Sequence, residues 1–214
     1  MRSPRTGPAS DRYIAAGAVA GLVLLVVTWV AAAQRPLPAS ELDLFEKLND
    51  TPDALSTVLW PIMQLGSVVG FLTIAAVAGI WARSVPVAVA TLAGGLTAWI
   101  AAKVVKRIVG RERPLAYVET AIVRDGDGMG LGFTSGHTAV AFALATVLAP
   151  LLPLWGRVIV FGLACVVGVA RMTHGVHMPL DVVGGAGLGL LCGAAVHLLW
   201  RAVDRLRSRD AMTA

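Results

Sequence analysis

Apolar residues in this chain gather in long blocks instead of recurring at the spacing of a half-buried helix or strand. Ile14 to Ala33 holds no charged residue. Further blocks run over Leu65 to Ala82, Val85 to Ala102, about Thr138 to Leu152, Val158 to Ala170 and Val182 to Trp200. A helix needs roughly 20 apolar residues to cross the hydrocarbon core of a bilayer, and these six blocks approach that length. The pattern predicts an all-α fold, a polytopic membrane helix bundle with six transmembrane helices in a single domain over residues 1–214. The fourth and fifth blocks are short, so their ends must extend into flanking residues or the bilayer must thin there. The first block follows a basic start and ends in Ala31-Ala32-Ala33, which resembles a cleavable signal peptide. It exceeds the roughly 7–15 residues of a signal h-region and is read as an uncleaved span.

Two weaker patterns interrupt the blocks. Glu41 to Leu59 is amphipathic, with Leu42, Phe45 and Leu48 at helical spacing; it is expected to lie on the membrane surface or to cover the bundle. Gly185 and Gly189 form a small-xxx-small pair that permits close helix packing. The segment Arg124 to Gly132 reads as a mobile loop. Its Asp125 and Asp127 hint at a calcium loop, but the further aspartate and closing glutamate of an EF-hand are missing.

Composition agrees with a membrane protein: the 214 residues are 57% hydrophobic and 14% charged, too few charges for a soluble domain of this size. The net charge of +5 does not indicate a nucleic-acid partner, because the basic residues sit at block ends without an aromatic-basic surface pattern. Cys165 and Cys192 lie inside apolar blocks and read as small hydrophobes. Trp29, Trp81, Trp99 and Trp200 fall near block ends, where amphipathic rings favour the headgroup zone. Six spans put both termini on one side. The arm 1–12 and the tail 201–214 are arginine-rich, and Arg83 and Arg157 fall on the same side, so that side is read as cytoplasmic. The opposite side also carries many cations, most of them crowded between Lys103 and Arg124 together with Arg171. A cluster that defies the topology rule points to a task, such as holding an anion.

Three polar clusters lie at the outer ends of apolar blocks, where ionisable groups are costly and are functional candidates by default. The first is Lys106 to Pro114, with Lys106 as a point charge and Arg113 as a two-pronged ligand for phosphoryl oxygens; a basic patch touching anionic lipid heads is the plainer reading. The second is Thr134-Ser135-Gly136-His137. Ser135 is a good N-cap, Gly136 lets the backbone approach a ligand, and free N–H groups at a helix start bind phosphate. His137 stands there as a possible proton donor. The third is Arg171 to Asp181. Pro179 suits the first turn of a helix, Asp181 follows within that turn, and His177 lies just ahead. A carboxylate beside an imidazole holds the proton of one ring nitrogen and leaves the other free to attack; a plain helix cap with an incidental histidine is the alternative. Together the clusters supply what phosphoryl transfer through a covalent histidine needs, which is mainly positioning and charge neutralisation.

These residues resemble the type 2 phosphatidic acid phosphatases, whose active-site pattern is shared with vanadium haloperoxidases. Lys106, six residues and Arg113-Pro114 match the first motif of that family. Ser135-Gly136-His137 match three of the four residues of the second, and Arg171, His177 and Asp181 match the third at its spacing. The resemblance implies that His177 attacks phosphorus, that Asp181 orients it, and that His137 protonates the leaving oxygen and then activates water. It implies that Lys106, Arg113, Ser135, Gly136 and Arg171 bind the phosphoryl oxygens, with no metal or other cofactor. Thr134 stands where the family usually has Pro, and Ala170 where it usually has Ser. His174 is expected to line the site or support it, and His197 to be a packed core residue.

The resemblance further implies a membrane lipid substrate with a phosphate or diphosphate head, such as undecaprenyl diphosphate, phosphatidylglycerol phosphate or phosphatidic acid. Hydrolysis would take place at the periplasmic or outer face of a bacterial inner membrane. A lipid-linked phosphotransferase with the same site and a non-enzymatic lipid carrier or scaffold are the competing readings. The second lacks a reason for the His177–Asp181 pair.

Overall fold

In the computed structural model, residues 8–213 are described. They form eight α-helices joined by short 3-10 turns. Among the described residues no strand occurs, and Glu112 and Leu131 make one isolated antiparallel bridge. The helices are α1 (Pro8–Ala32), α2 (Ala39–Asn49), α3 (Asp53–Met63), α4 (Val68–Ala82), α5 (Val85–Val109), α6 (Gly136–Leu148), α7 (Leu154–Thr173) and α8 (Pro179–Thr213). Their ends follow local chemistry. Ser67 and Ser84 cap α4 and α5 by accepting from the backbone N–H of Gly70 and Val87. Gly110, at φ 67°, ends α5 in the left-handed region that favours glycine.

Among the described residues, four helices are long and apolar enough to cross a membrane: α1 from Asp11, α5, α7 and α8 to Val203. The protein is an integral membrane protein, and the six expected blocks all lie on helices. Two of them depart from a simple span. The block at Leu65 to Ala82 belongs to a pair, Asp53–Gly66 and Val68–Ala82, bent by 66°, which makes at most one further crossing. The block near Thr138 to Leu152 is the short apolar helix Gly136–Leu151. Its shortness has a structural reason. Thr138 to Val147 is buried nearly throughout, because α5, α7 and α8 pack around α6. A helix sheathed by protein need not match the bilayer thickness.

The core centres on α6. Ala139, Val140, Ala143 and Leu144 meet Phe71 of α4, Ala98 and Ala102 of α5, and Leu188 and Cys192 of α8. Large apolar side chains such as Val19, Leu22, Ile80 and Val158 are exposed on the outer helices, the inverse of a soluble protein. The face of α8 toward α6 is a ridge of glycines. A Cβ on Gly185 would meet the Ser135 carbonyl at 2.6 Å, one on Gly189 would meet the Ala139 carbonyl, and one on Gly193 would lie 2.6 Å from Thr146 Cβ. The small-residue pair therefore packs α8 directly on the α6 backbone. Of the arm and tail expected at 1–12 and 201–214, residues 1–7 and 214 lie outside the described residues. Residues 8–12 open α1, and 201–213 continue α8.

The amphipathic stretch covers the bundle. It breaks at Pro52 into α2 and α3, and α2 lays Glu41, Phe45 and Asn49 inward while contacting α7 and α8. His197 is only partly the packed residue expected. Its Nε2 lies 3.6 Å from Asp11 Oδ1, and Arg201 donates to the other Asp11 oxygen at 3.2 Å. These groups tie α1 to α8 at the end of the bundle away from the polar clusters.

Candidate active site

All three polar clusters meet at one end of the bundle, where α5 and α7 finish and α6 and α8 begin. Chain direction explains the convergence: antiparallel neighbours bring C-terminal and N-terminal ends together, so Lys106 and Arg171 arrive at helix ends beside the helix starts that carry Ser135 and Asp181. The starts of α6 and α8 are joined directly, since the backbone N–H of Ser135 donates to the Asp181 carbonyl at 2.9 Å.

His177 sits just before α8 with 2% of its side chain exposed. Its Nδ1 is 3.4 Å from Asp181 Oδ2, and that same oxygen accepts the Met178 N–H at 2.9 Å. With the proton on Nδ1, Nε2 carries the free lone pair. Burial holds the His177 pKa well below its ordinary value, and the charges of Lys106, Arg171 and Arg113 push it further in the same direction. This favours the neutral imidazole, the form in which a histidine can act as a nucleophile. The same electrostatic neighbourhood includes His137.

The cations are held differently. Lys106 Nζ donates to the carbonyls of Leu131 and Gly132 at 2.6 and 2.9 Å. Arg171 donates through Nη1 to Asp125 at 2.6 Å. The Nε atoms of Arg111, Arg113 and Arg171 and the Thr134 hydroxyl are buried without a hydrogen-bond partner. Buried donors without partners are costly, and those of Arg113, Arg171 and Thr134, which belong to the three polar clusters, suit an oxyanion that would accept from them. Ser135 lies at the N-cap position of α6, as expected, yet its hydroxyl does not cap the helix. It accepts from the Thr138 hydroxyl at 3.0 Å instead.

The loop read as mobile is anchored at both ends. Arg124 donates to Asp53 at 2.8 Å and to the carbonyls of Asn49, Thr51 and Thr173, and its own N–H reaches the His174 carbonyl. Asn49 clamps the neighbouring Ile122 through its N–H and carbonyl. At the far end, Arg113 and Gly130 are joined by a backbone hydrogen bond, and so are Gly132 and Arg111. Gly132 has no room for a side chain: a Cβ there would lie 2.8 Å from Asp181 Oδ2. His174 stays on the backbone of α7, its Nδ1 2.7 Å from the Ala170 carbonyl.

Two residues that the motifs do not contain complete the site. Arg111 is 1% exposed and donates through Nη1 to Asp181 Oδ1 at 3.1 Å and through Nη2 to Glu41 Oε2 at 2.6 Å. Glu41 Oε1 accepts the Leu180 N–H at 3.0 Å. Burial alone would lower the Arg111 pKa. The hydrogen bond to Glu41 and the charges of Asp181 and Glu41 outweigh it and raise the pKa above its ordinary value. In proteins generally, removing one partner of such a buried ionic set costs about 3–5 kcal/mol. No sequence signal separated Arg111 from the surrounding cations, or Glu41 from an ordinary surface acid.

A buried imidazole paired with a carboxylate, in the field of a second histidine and three cations at the end of an all-helical membrane bundle, suits a membrane protein that handles a phosphoryl group. The comparisons agree: residues 83–205 match the PAP2 superfamily, and the chain belongs to that family. It is 32% identical over 71 residues to YbjG of Escherichia coli (strain K12), named as an undecaprenyl-diphosphatase; that match covers 33% of this chain and 36% of YbjG. Two solved structures share the fold. Aquifex aeolicus LpxE matches with a TM-score of 0.67 and 29% identity, over 74% of this chain and 95% of LpxE. A PAP2-type phosphatidylglycerolphosphate phosphatase from Bacillus subtilis matches with a TM-score of 0.71 and 22% identity, over 88% of this chain and 96% of the other.

Proposed function

We propose that this protein is a metal-independent lipid phosphatase that hydrolyses a phosphate monoester or diphosphate on a membrane lipid through a phosphohistidine. The observation that carries the reading is the buried His177–Asp181 pair, set in the field of Lys106, Arg113, Arg171 and His137.

In the first step His177 Nε2 attacks phosphorus and forms the N–P bond. The bond from phosphorus to the leaving oxygen breaks, and His137 gives that oxygen its proton. In the second step His137 takes a proton from water, the hydroxide attacks phosphorus, and the N–P bond breaks to release inorganic phosphate and neutral His177. Asp181 holds the Nδ1 proton in both steps. Lys106, Arg113, Arg171, Ser135 and the α6 N-terminus at Gly136 neutralise the equatorial oxygens, where charge accumulates in phosphoryl transfer.

A polyprenyl diphosphate is the preferred substrate, supported by the likeness to YbjG. Phosphatidylglycerol phosphate and phosphatidic acid are the next choices. We read six crossings, counting the bent α3–α4 pair and the sheathed α6 as one each. Both termini are then cytoplasmic, and the site faces the periplasm or the outside of a bacterial inner membrane.

Phosphate release from polyprenyl diphosphate in detergent micelles without added metal tests the proposal. Native protein is expected to turn over and His177→Ala to lose all measurable release. No release by native protein from any of the three lipids would refute it, and release surviving in His177→Ala would mean that another group attacks.

A further inference from the structure

The chemistry carried by the three motifs stops at Asp181, but the buried hydrogen bonds do not. Asp181 Oδ2 is occupied by the Met178 N–H and faces His177. The plane of the carboxylate is therefore fixed by what holds Oδ1, and that is Arg111. Arg111 is in turn held by Glu41 on α2, a residue 70 positions away in sequence. Glu41 also grips the Leu180 N–H, the peptide group next to Asp181. We propose that Glu41 and Arg111 are positioning residues for the nucleophile: a buried charged chain from α2 that fixes Asp181 and, through it, the orientation of the His177 ring. This inference rests on the phosphatase reading above.

Two simpler roles fit less well. A phosphate ligand would turn its terminal N–H groups toward the reacting volume; Nε does not separate the cases, since Arg111, Arg113 and Arg171 all bury it without a partner. Arg111 instead spends both terminal nitrogens on carboxylates. A plain staple between α2 and the bundle would not need the catalytic carboxylate as an end point. Apolar packing of Phe45 against Val118 and Met178 already supplies that staple.

The charges explain why a chain of three is used. Glu41, Arg111 and Asp181 together carry one net negative charge beside His177. Phosphorylation at Nε2 with the proton kept on Nδ1 makes the ring cationic, and one net negative charge matches it. Without Glu41, Arg111 would draw wholly on Asp181 and weaken the carboxylate as a partner for the ring. Without Arg111, two carboxylates would be buried a few ångströms apart, and one would take up a proton.

A double-mutant cycle with Glu41→Gln and Asp181→Asn, read as phosphate release in micelles, tests the chain. Glu41→Gln is expected to lower kcat about tenfold or more while KM moves less than about threefold, the mark of an interaction realised in the transition state. In the Asp181→Asn background the same change is expected to lower kcat by no more than about twofold, because its route of action is gone. Independent, multiplicative effects would overturn the proposal. The ¹⁵N resonances of His177 in labelled protein give a readout that needs no turnover. Glu41→Gln is expected to shift Nδ1, and unchanged ring resonances would also overturn the proposal. If Glu41→Gln does not fold, Arg111→Lys, which keeps the charge and loses the fork, carries the same cycle and the same spectra. Native protein that turns over no lipid would defeat the phosphatase reading alone, leaving the ¹⁵N comparison to decide the chain.

Discussion

At His177, burial and neighbouring charge act in the same direction, and both hold the ring neutral. The consequence for stability has a definite sign. The folded-state pKa lies below the ordinary 6.5, so unfolding takes up a proton as the pH falls below about 6.5. Stability from this group is complete above that value and declines below it. The melting temperature in detergent is expected to drop between pH 7 and pH 5, and His177→Gln to flatten that drop; an unaltered slope in the variant would assign the effect elsewhere. Asp125 makes a second residue-scale case. Its carboxylate occupies Arg171 Nη1, a donor that a phosphoryl oxygen would also seek, and it is 35% exposed. Asp125→Ala is expected to tighten inhibition by inorganic phosphate about fivefold, roughly the 1 kcal/mol of a partly exposed pair. Weaker inhibition would mean that Asp125 supports the site instead of competing for it.

Among the elements, α8 governs how closely the site can close, because its glycine ridge rests on the α6 backbone. Gly185→Ala and Gly193→Ala both force a Cβ into contact with α6. Overpacking of this kind typically costs about 1–3 kcal/mol, so both variants are expected to melt lower. Only Gly185 abuts the Ser135 carbonyl, and only its variant is expected to lose kcat as well, by about tenfold or more; equal kcat losses would show that the ridge acts through stability alone. The reach of sequence reading divides along the same lines. Lys106, Arg113, Ser135, Gly136, His137, Arg171, His177 and Asp181 were legible as candidates because their chemistry is carried by residue type at short spacing next to apolar blocks. Glu41 and Arg111 were not, since their pairing joins a surface-like acid to one cation among many across 70 residues. The anchoring of the Arg124 to Gly132 loop was hidden for the same reason: Arg124 and Asn49 meet only after α2 folds over the end of α7. The short block at Thr138 was legible as a helix. Its sheathing by three others was not, because block length says nothing of what surrounds a helix.

For the molecule as a whole, every group of the site lies at one end of the bundle, and orientation decides which compartment it serves. A fluorescent reporter fused after Ala214 is expected to fluoresce, and alkaline phosphatase at the same junction to stay inactive; the reverse pattern would turn the site toward the cytoplasm. Salt adds a check at this scale. A cationic site at a membrane edge attracts anionic headgroups over about 8 Å at physiological ionic strength, so kcat/KM is expected to fall with added salt while kcat holds. The hydrogen bond from the Ser135 N–H to the Asp181 carbonyl has a consequence of its own. On the phosphatase reading proposed above, it braces the two histidines as fixed jaws of a gauge, with a span set by main chain and not by the molecule between them. Such a gauge measures the tetrahedral head and is indifferent to the tail, so lipids of quite different length and branching should be cut at similar rates once their heads reach it.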